Sequence, residues 1–100
     1  MNLFDLPGSP IPEELTTILA EGANTRIERI VSDGQVSGWY DQDEAEFVAL
    51  LDGAAEIEYE NGDILAMGKG DTLTIPPGVR HRVSYTSSNP PCVWLCVFYS

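Results

Sequence analysis

The chain has 100 residues, 43% of them hydrophobic, which suits one domain with one modest core. Sixteen acidic residues against five basic ones give a net charge of −11, and that charge repels phosphate backbones and anionic lipid surfaces. We therefore expect neither a nucleic-acid partner nor a membrane partner. The first residues lack the basic start and the apolar run of a secretory signal. No stretch approaches the roughly 18 apolar residues of a membrane span, so we expect a soluble, cytoplasmic protein.

Residues 1–24 differ in pattern from the remainder and predict an N-terminal arm. Pro12 suits the first position of a helix, and the two glutamates after it favour the positive end of a helix dipole. Gly22 can end such a helix. The pattern therefore predicts a short helix from Pro12 to Ala20 whose apolar side lies across the main body.

From residue 25 onward the sequence consists of short apolar or alternating runs separated by turns, which is typical of β-strands. The Asn61-Gly62 pair between two such runs is a strong hairpin signal. The predicted strands are residues 26–32, 35–40, 47–51, 54–60, 63–67, 72–75, 82–87 and 93–99. Their number and spacing predict an all-β sandwich or barrel that forms one domain over residues 25–100.

Two of these strands, residues 47–51 and 93–99, are apolar on both faces. In a sheet this pattern means that something covers the outer face as well as the inner one. The N-terminal arm can cover one strand, and a second copy of the chain can cover the other. We therefore expect a homodimer.

The stretch from Gly70 to His81 carries the clearest functional signal. An alternating strand leads into a Pro-Pro-Gly turn, and the turn is followed closely by the only histidine of the chain. Proline fixes φ and cannot donate to a sheet ladder, so the turn is rigid. We expect His81 to lie near the start of a new strand, held in place by the scaffold.

The spacing within this stretch resembles the second conserved motif of the cupin superfamily, G(X)5PXG(X)2H(X)3N. Gly70, Pro76, Gly78 and His81 occupy the corresponding positions. Tyr85 stands where the motif has asparagine.

The first cupin motif, G(X)5HXH(X)3-4E(X)6G, resembles residues 34–53 in part. Glu46 and Gly53 fit its glutamate and its final glycine. The three-residue spacing places Tyr40 and Gln42 at the two histidine positions. The resemblance implies an all-β fold, the double-stranded β-helix or jelly-roll barrel of the cupins, with the arm and its short helix added at the N-terminus.

In this family the histidines and the glutamate of the two motifs converge on one divalent metal ion, often zinc, iron, manganese or nickel. The resemblance implies His81, Glu46 and Gln42 as metal ligands, and a barrel without metal is the alternative because both histidines of the first motif are replaced. The four-residue spacing would instead turn Asp41 inward, since a one-residue slip exchanges the faces of a strand. Both registers remain open.

We hypothesise that the barrel binds a small molecule around Tyr40, Gln42, Glu46 and His81, with or without a divalent metal. If the protein is an enzyme, the resemblance suggests dioxygenase, isomerase or lyase chemistry with Glu46 and His81 as the catalytic residues that move protons. If it is a sensing or ligand-binding module without catalysis, Glu46 and His81 would pair with each other inside the barrel.

Overall fold

A computed structural model describes residues 1–8 and 10–100, and this part of the chain forms eight β-strands. They are Leu15–Glu21 (β1), Thr25–Ser32 (β2), Ala45–Asp52 (β3), Ala55–Tyr59 (β4), Ile64–Met67 (β5), Thr72–Ile75 (β6), His81–Thr86 (β7) and Cys92–Tyr99 (β8). Within the described residues, no helix is long and apolar enough to cross a membrane.

The strands form two antiparallel sheets, one with the order β1-β2-β8-β3-β6 and one with the order β5-β4-β7. Alternate residues of each strand point to opposite faces, and the inward-facing residues of both sheets make one hydrophobic core. Leu50 of β3, Ile57 of β4, Ile75 of β6 and Trp94 of β8 are among its buried members. The prediction of an all-β fold is confirmed.

The predicted helix from Pro12 to Ala20 is wrong, because this stretch runs into strand β1. The helix signals lie in the first few residues, whereas the following Leu-Thr-Thr-Ile run is rich in β-branched side chains, which favour strands. β1 pairs with β2 along its length, so its backbone groups bond to the next strand of the chain and not within a helix. Gly22 lies in the hairpin turn between the two strands, where its N–H donates to the carbonyl of Thr25 at 2.7 Å.

The segment predicted as a strand over residues 35–40 is irregular, although it runs beside β7. The Ser37 N–H donates to the Val83 carbonyl at 3.0 Å, and Tyr40 forms an isolated bridge with His81. Gly34 precedes this segment and Gly38 lies within it, and glycine interrupts a regular strand. The segment therefore follows β7 without becoming a member of the sheet.

The centre of the outward face of the five-stranded sheet is apolar. Val97 of β8 lies opposite Ile27 of β2 on one side and Phe47 of β3 on the other. Across the outward positions of β2, β8 and β3, the only acidic residue is Asp52, whose carboxylate accepts a hydrogen bond from the Gly53 N–H at 2.9 Å. A chain with 16 acidic residues thus keeps this face almost free of negative charge.

The N-terminal residues attach to this outward face at β2. Arg29 is only 7% exposed, and its NH1 donates to the carbonyls of Asp5 at 2.9 Å and Leu3 at 3.4 Å. Ile11 is also buried, and its N–H donates to the Asp33 carboxylate at 2.8 Å. These contacts hold the first residues of the chain on the sheet.

Candidate functional site

A cavity of about 170 Å³ lies between the two sheets. Every strand except β5 contributes to its wall, together with the loop between β2 and β3. Most of the wall is apolar, and three of the side chains are aromatic: Tyr40, Trp94 and Phe98. The polar side chains that reach it are Glu14, Thr16, Glu28, Gln42, Glu46 and His81.

His81 lies at the first position of β7 and is 3% exposed. Its Nδ1 is 2.9 Å from the carbonyl oxygen of Val79. A carbonyl oxygen can only accept, so Nδ1 carries the proton of this contact, and the opposite ring nitrogen, Nε2, is directed to Glu46. The turn before the strand and the carbonyl of Val79 together fix the orientation of the imidazole.

Glu46 of β3 faces His81 across the cavity wall and is 8% exposed. Its Oε1 lies 3.9 Å from His81 Nε2 and accepts a hydrogen bond from Gln42 Nε2 at 2.9 Å. Burial raises the pKa of the Glu46 carboxyl, and the Gln42 hydrogen bond, the attraction of His81 and a contact with the Cys96 thiol oppose that rise. The neutral carboxylic acid therefore persists to a higher pH than in an exposed glutamate.

Tyr40 lies beside His81, with the two ring centroids 5.5 Å apart. Burial, followed by the negative charge of Glu14, raises the pKa of the Tyr40 phenol, so the hydroxyl stays protonated and can donate a hydrogen bond. Gln42, two residues further, also lines the cavity. Asp41 between them is exposed and contributes nothing to the wall.

Two carboxylates in the wall were not singled out from the sequence. Glu28 lies on the inward face of β2 beside Arg26, whose Nε donates to its Oε2 at 2.6 Å. Glu14 lies just before β1, where its Oε2 accepts a hydrogen bond from the Ser32 hydroxyl at 3.2 Å. Glu28 could have been found from the alternation of its strand, whereas the expected helix from Pro12 to Ala20 concealed Glu14.

The arginines on either side of His81 point away from the cavity. The guanidinium carbons of Arg80 and Arg82 lie 5.5 Å and 5.0 Å from the centre of the Trp39 ring. They form cation–π contacts on the outside of the barrel, where they cannot reach a ligand in the cavity.

The donor set does not fit the metal centre that the resemblance implies. Only Glu46 and His81, of the four positions that supply ligands in the family, carry a carboxylate or an imidazole. Gln42 directs its amide nitrogen to Glu46, and Tyr40 is a neutral phenol. Within residues 1–8 and 10–100, no group of three or more His, Cys, Asp and Glu side chains is close enough to hold a metal ion. Zinc, iron and nickel favour sites with more imidazole or thiolate ligands than this one offers.

Comparison with known families agrees with the resemblance seen in the sequence. The family model of the cupin domain matches residues 27–98. No curated protein matches the sequence.

Several solved structures are similar to this one. A protein from Ralstonia eutropha JMP134, named as a proposed mannose-6-phosphate isomerase, has 38% identity and a TM-score of 0.93, over 100% of this chain and 96% of its own. A cupin superfamily protein from Desulfitobacterium hafniense DCB-2 has 16% identity and a TM-score of 0.80, over 93% of this chain and 83% of its own. An RmlC-like cupin from Shewanella frigidimarina NCIMB 400 has 15% identity and a TM-score of 0.76, over 86% and 75% of the two chains. The last two similarities concern the fold alone.

Proposed function

This chain belongs to the cupin family, and from that premise we propose that it binds a small molecule inside the barrel without a metal centre of the family type. The observation that carries the proposal is the cavity between the sheets, whose apolar wall is interrupted by the convergent side chains of Gln42, Glu46 and His81. Such a wall, with a few placed polar groups, is typical of ligand sites. A dry cavity of about 150 Å³ accommodates benzene, so a volume of about 170 Å³ suits a ligand of similar size.

A phosphorylated sugar does not suit this cavity, although the similar Ralstonia protein is named for one. Phosphate recognition uses arginine, lysine or clustered N–H donors. The wall presents the carboxylates of Glu14, Glu28 and Glu46, and no lysine or arginine of the described residues reaches it. We infer that the ligand of this chain is not a phosphate ester.

A second candidate function is proton-transfer catalysis, of the isomerase or lyase type. It is favoured by the pairing of Glu46, whose pKa is raised by burial, with an imidazole 3.9 Å away that is oriented by a backbone carbonyl. Buried acid–base pairs of this kind occur at catalytic sites. In such a reaction Glu46 would hold or release a proton at Oε1, and His81 would do so at Nε2.

Tryptophan fluorescence tests the binding proposal, because Trp94 lines the cavity and is 4% exposed whereas Trp39 lies outside it. A Trp39→Phe variant makes Trp94 the single reporter, since the chain has two tryptophans. We expect small apolar and amphiphilic compounds to change its emission in a saturable way. Val83→Phe, which fills part of the cavity from β7, should abolish the change and leave the fold intact. Compounds that act equally on both proteins would overturn the proposal.

Elemental analysis tests the absence of a family-type metal centre. Protein purified without chelator is expected to contain no stoichiometric zinc, iron, manganese or nickel. Stoichiometric metal that disappears in His81→Ala would overturn that part of the proposal and favour the metal-dependent enzyme.

A further inference from the structure

The charged groups in the cavity wall are mainly carboxylates. Glu14, Glu28 and Glu46 all reach it, with Glu28 already paired to the Arg26 guanidinium at 2.6 Å. His81 is the one basic side chain of the described residues that reaches it. The Nδ1 of His81 is already engaged by the Val79 carbonyl. An anion entering this cavity would meet carboxylates, whereas a cation would be attracted to them.

The fold already contains one cation bound in the way that the cavity offers. The guanidinium of Arg26 lies 4.4 Å from the centre of the Phe98 ring and is paired with the Glu28 carboxylate. Aromatic faces attract cations through their quadrupole, and an adjacent carboxylate adds to this attraction. Phe98 and Glu28 both belong to the cavity wall, and Tyr40 and Trp94 add two further aromatic rings.

Among the described residues, the one basic side chain within ion-pair distance of Glu46 is the His81 imidazole, whose Nε2 lies 3.9 Å from Glu46 Oε1. A carboxylate that is 8% exposed is poorly solvated, and it gains from a partner of opposite charge. A positively charged ligand between Glu46 and the aromatic rings would supply that partner.

We infer that the ligand is a small organic cation of the substituted ammonium class, held by the aromatic rings of Tyr40 and Trp94 and by the carboxylates of Glu46 and Glu14. This inference rests on the proposed function, because it names the class of molecule that occupies the same cavity. The volume of about 170 Å³ admits a trimethylammonium group with a short substituent.

Three probes of the same shape and different charge test the inference. Choline is the cation, 3,3-dimethylbutan-1-ol replaces its nitrogen by carbon, and 3,3-dimethylbutanoate is an anion of similar bulk. Binding of each to the Trp39→Phe protein is measured by Trp94 fluorescence and by the shift of the melting temperature. We expect choline to bind about tenfold more tightly than the alcohol, the ratio that about 1.4 kcal/mol of cation–π and ionic attraction provides. The butanoate is expected to bind most weakly.

Two variants separate charge from shape. Glu46→Gln keeps the size of the side chain and should reduce choline affinity about tenfold while it changes affinity for the alcohol less than about twofold. Glu14→Gln, at an exposed position, should give a smaller loss in the same direction. Alcohol or butanoate binding at least as tightly as choline overturns the cation inference and leaves small-molecule binding intact. If none of the three probes binds and neutral fragments fail as well, the inference and the proposed function are both overturned.

Discussion

Replacing Gly53 by alanine tests how closely the turn after β3 is packed against β8. Gly53 has a φ of +89°, a conformation that residues with a Cβ rarely adopt. A Cβ at this position would lie 2.8 Å from the Cα of Cys92, 2.9 Å from its Sγ and 2.9 Å from the carbonyl oxygen of Pro91. Cys92 is fully buried at the start of β8, and β8 is paired on both sides, so these atoms cannot yield easily.

Gly70→Ala is the matched control. Gly70 has a φ of +90°, but nothing lies within 4 Å of an added Cβ. The left-handed conformation costs about 1–2 kcal/mol for a residue with a Cβ, and this cost applies to both variants. Overpacking adds about 1–3 kcal/mol to Gly53→Ala alone. The stiffer unfolded chain that alanine produces offsets part of the loss equally in both proteins.

The free energy of unfolding is measured by urea denaturation and the melting temperature by circular dichroism. For a domain of this size, 1 kcal/mol corresponds to about 4–8 °C, so Gly53→Ala should melt at least about 4 °C below Gly70→Ala. The urea dependence should be the same for the two variants, because neither changes the surface exposed on unfolding. Equal losses in both variants would refute the reasoning that contact with β8 requires glycine at position 53.

Three further predictions concern the cavity and the outward face. Burial raises the pKa of Glu46 in the folded protein above its unfolded value of about 4.3. Between these two pKa values the native state holds a proton that the unfolded state has lost. The contribution of Glu46 to stability therefore falls as pH rises. Urea denaturation from pH 4 to 8 should therefore show the free energy of unfolding of Glu46→Gln rising relative to that of wild type as pH increases. A fall relative to wild type over the same range would contradict the raised pKa of Glu46. The double variant Tyr40→His with Gln42→His should bind zinc or nickel in calorimetry, since it completes the family's donor set. Absence of metal binding in this variant would mean that the side chains at positions 40 and 42 do not converge with His81. We propose that the chain forms a homodimer through the nearly carboxylate-free outward face of the five-stranded sheet. Light scattering should then give the mass of a dimer for wild type and the mass of a monomer for Leu95→Glu. A monomeric wild-type protein would exclude the dimer.

Much of the fold could be predicted because each strand from β2 to β8 carries its own alternation or apolar run between turn residues. The N-terminal error has a different origin. Pro12 and the glutamates after it are local signals for a helix, but β1 forms because its backbone pairs with β2. The residues of a strand alone do not determine which neighbour it pairs with. The same error removed Glu14 from consideration as a cavity residue.

The orientation of the loop before β3 could not be derived from its spacing. Tyr40-Asp41-Gln42 reads equally well in two registers, because a slip of one residue exchanges the faces. A contact with β7, distant in sequence, decides which side chains face inward. His81 was found because the Pro-Pro-Gly turn and its spacing are local features.

A pair of backbone hydrogen bonds between Tyr40 and His81 fixes the position of residue 40 independently of the chemical nature of its side chain. The Tyr40 N–H donates to the His81 carbonyl at 2.7 Å, and the His81 N–H donates to the Tyr40 carbonyl at 3.1 Å. Main-chain atoms are the same in every residue except proline, so this link is indifferent to the side chains it carries. An imidazole can be exchanged for a phenol at position 40 while the backbone of that residue keeps its position beside His81. The cavity of a cupin can therefore change its ligand in evolution by single substitutions, without a new path for the chain.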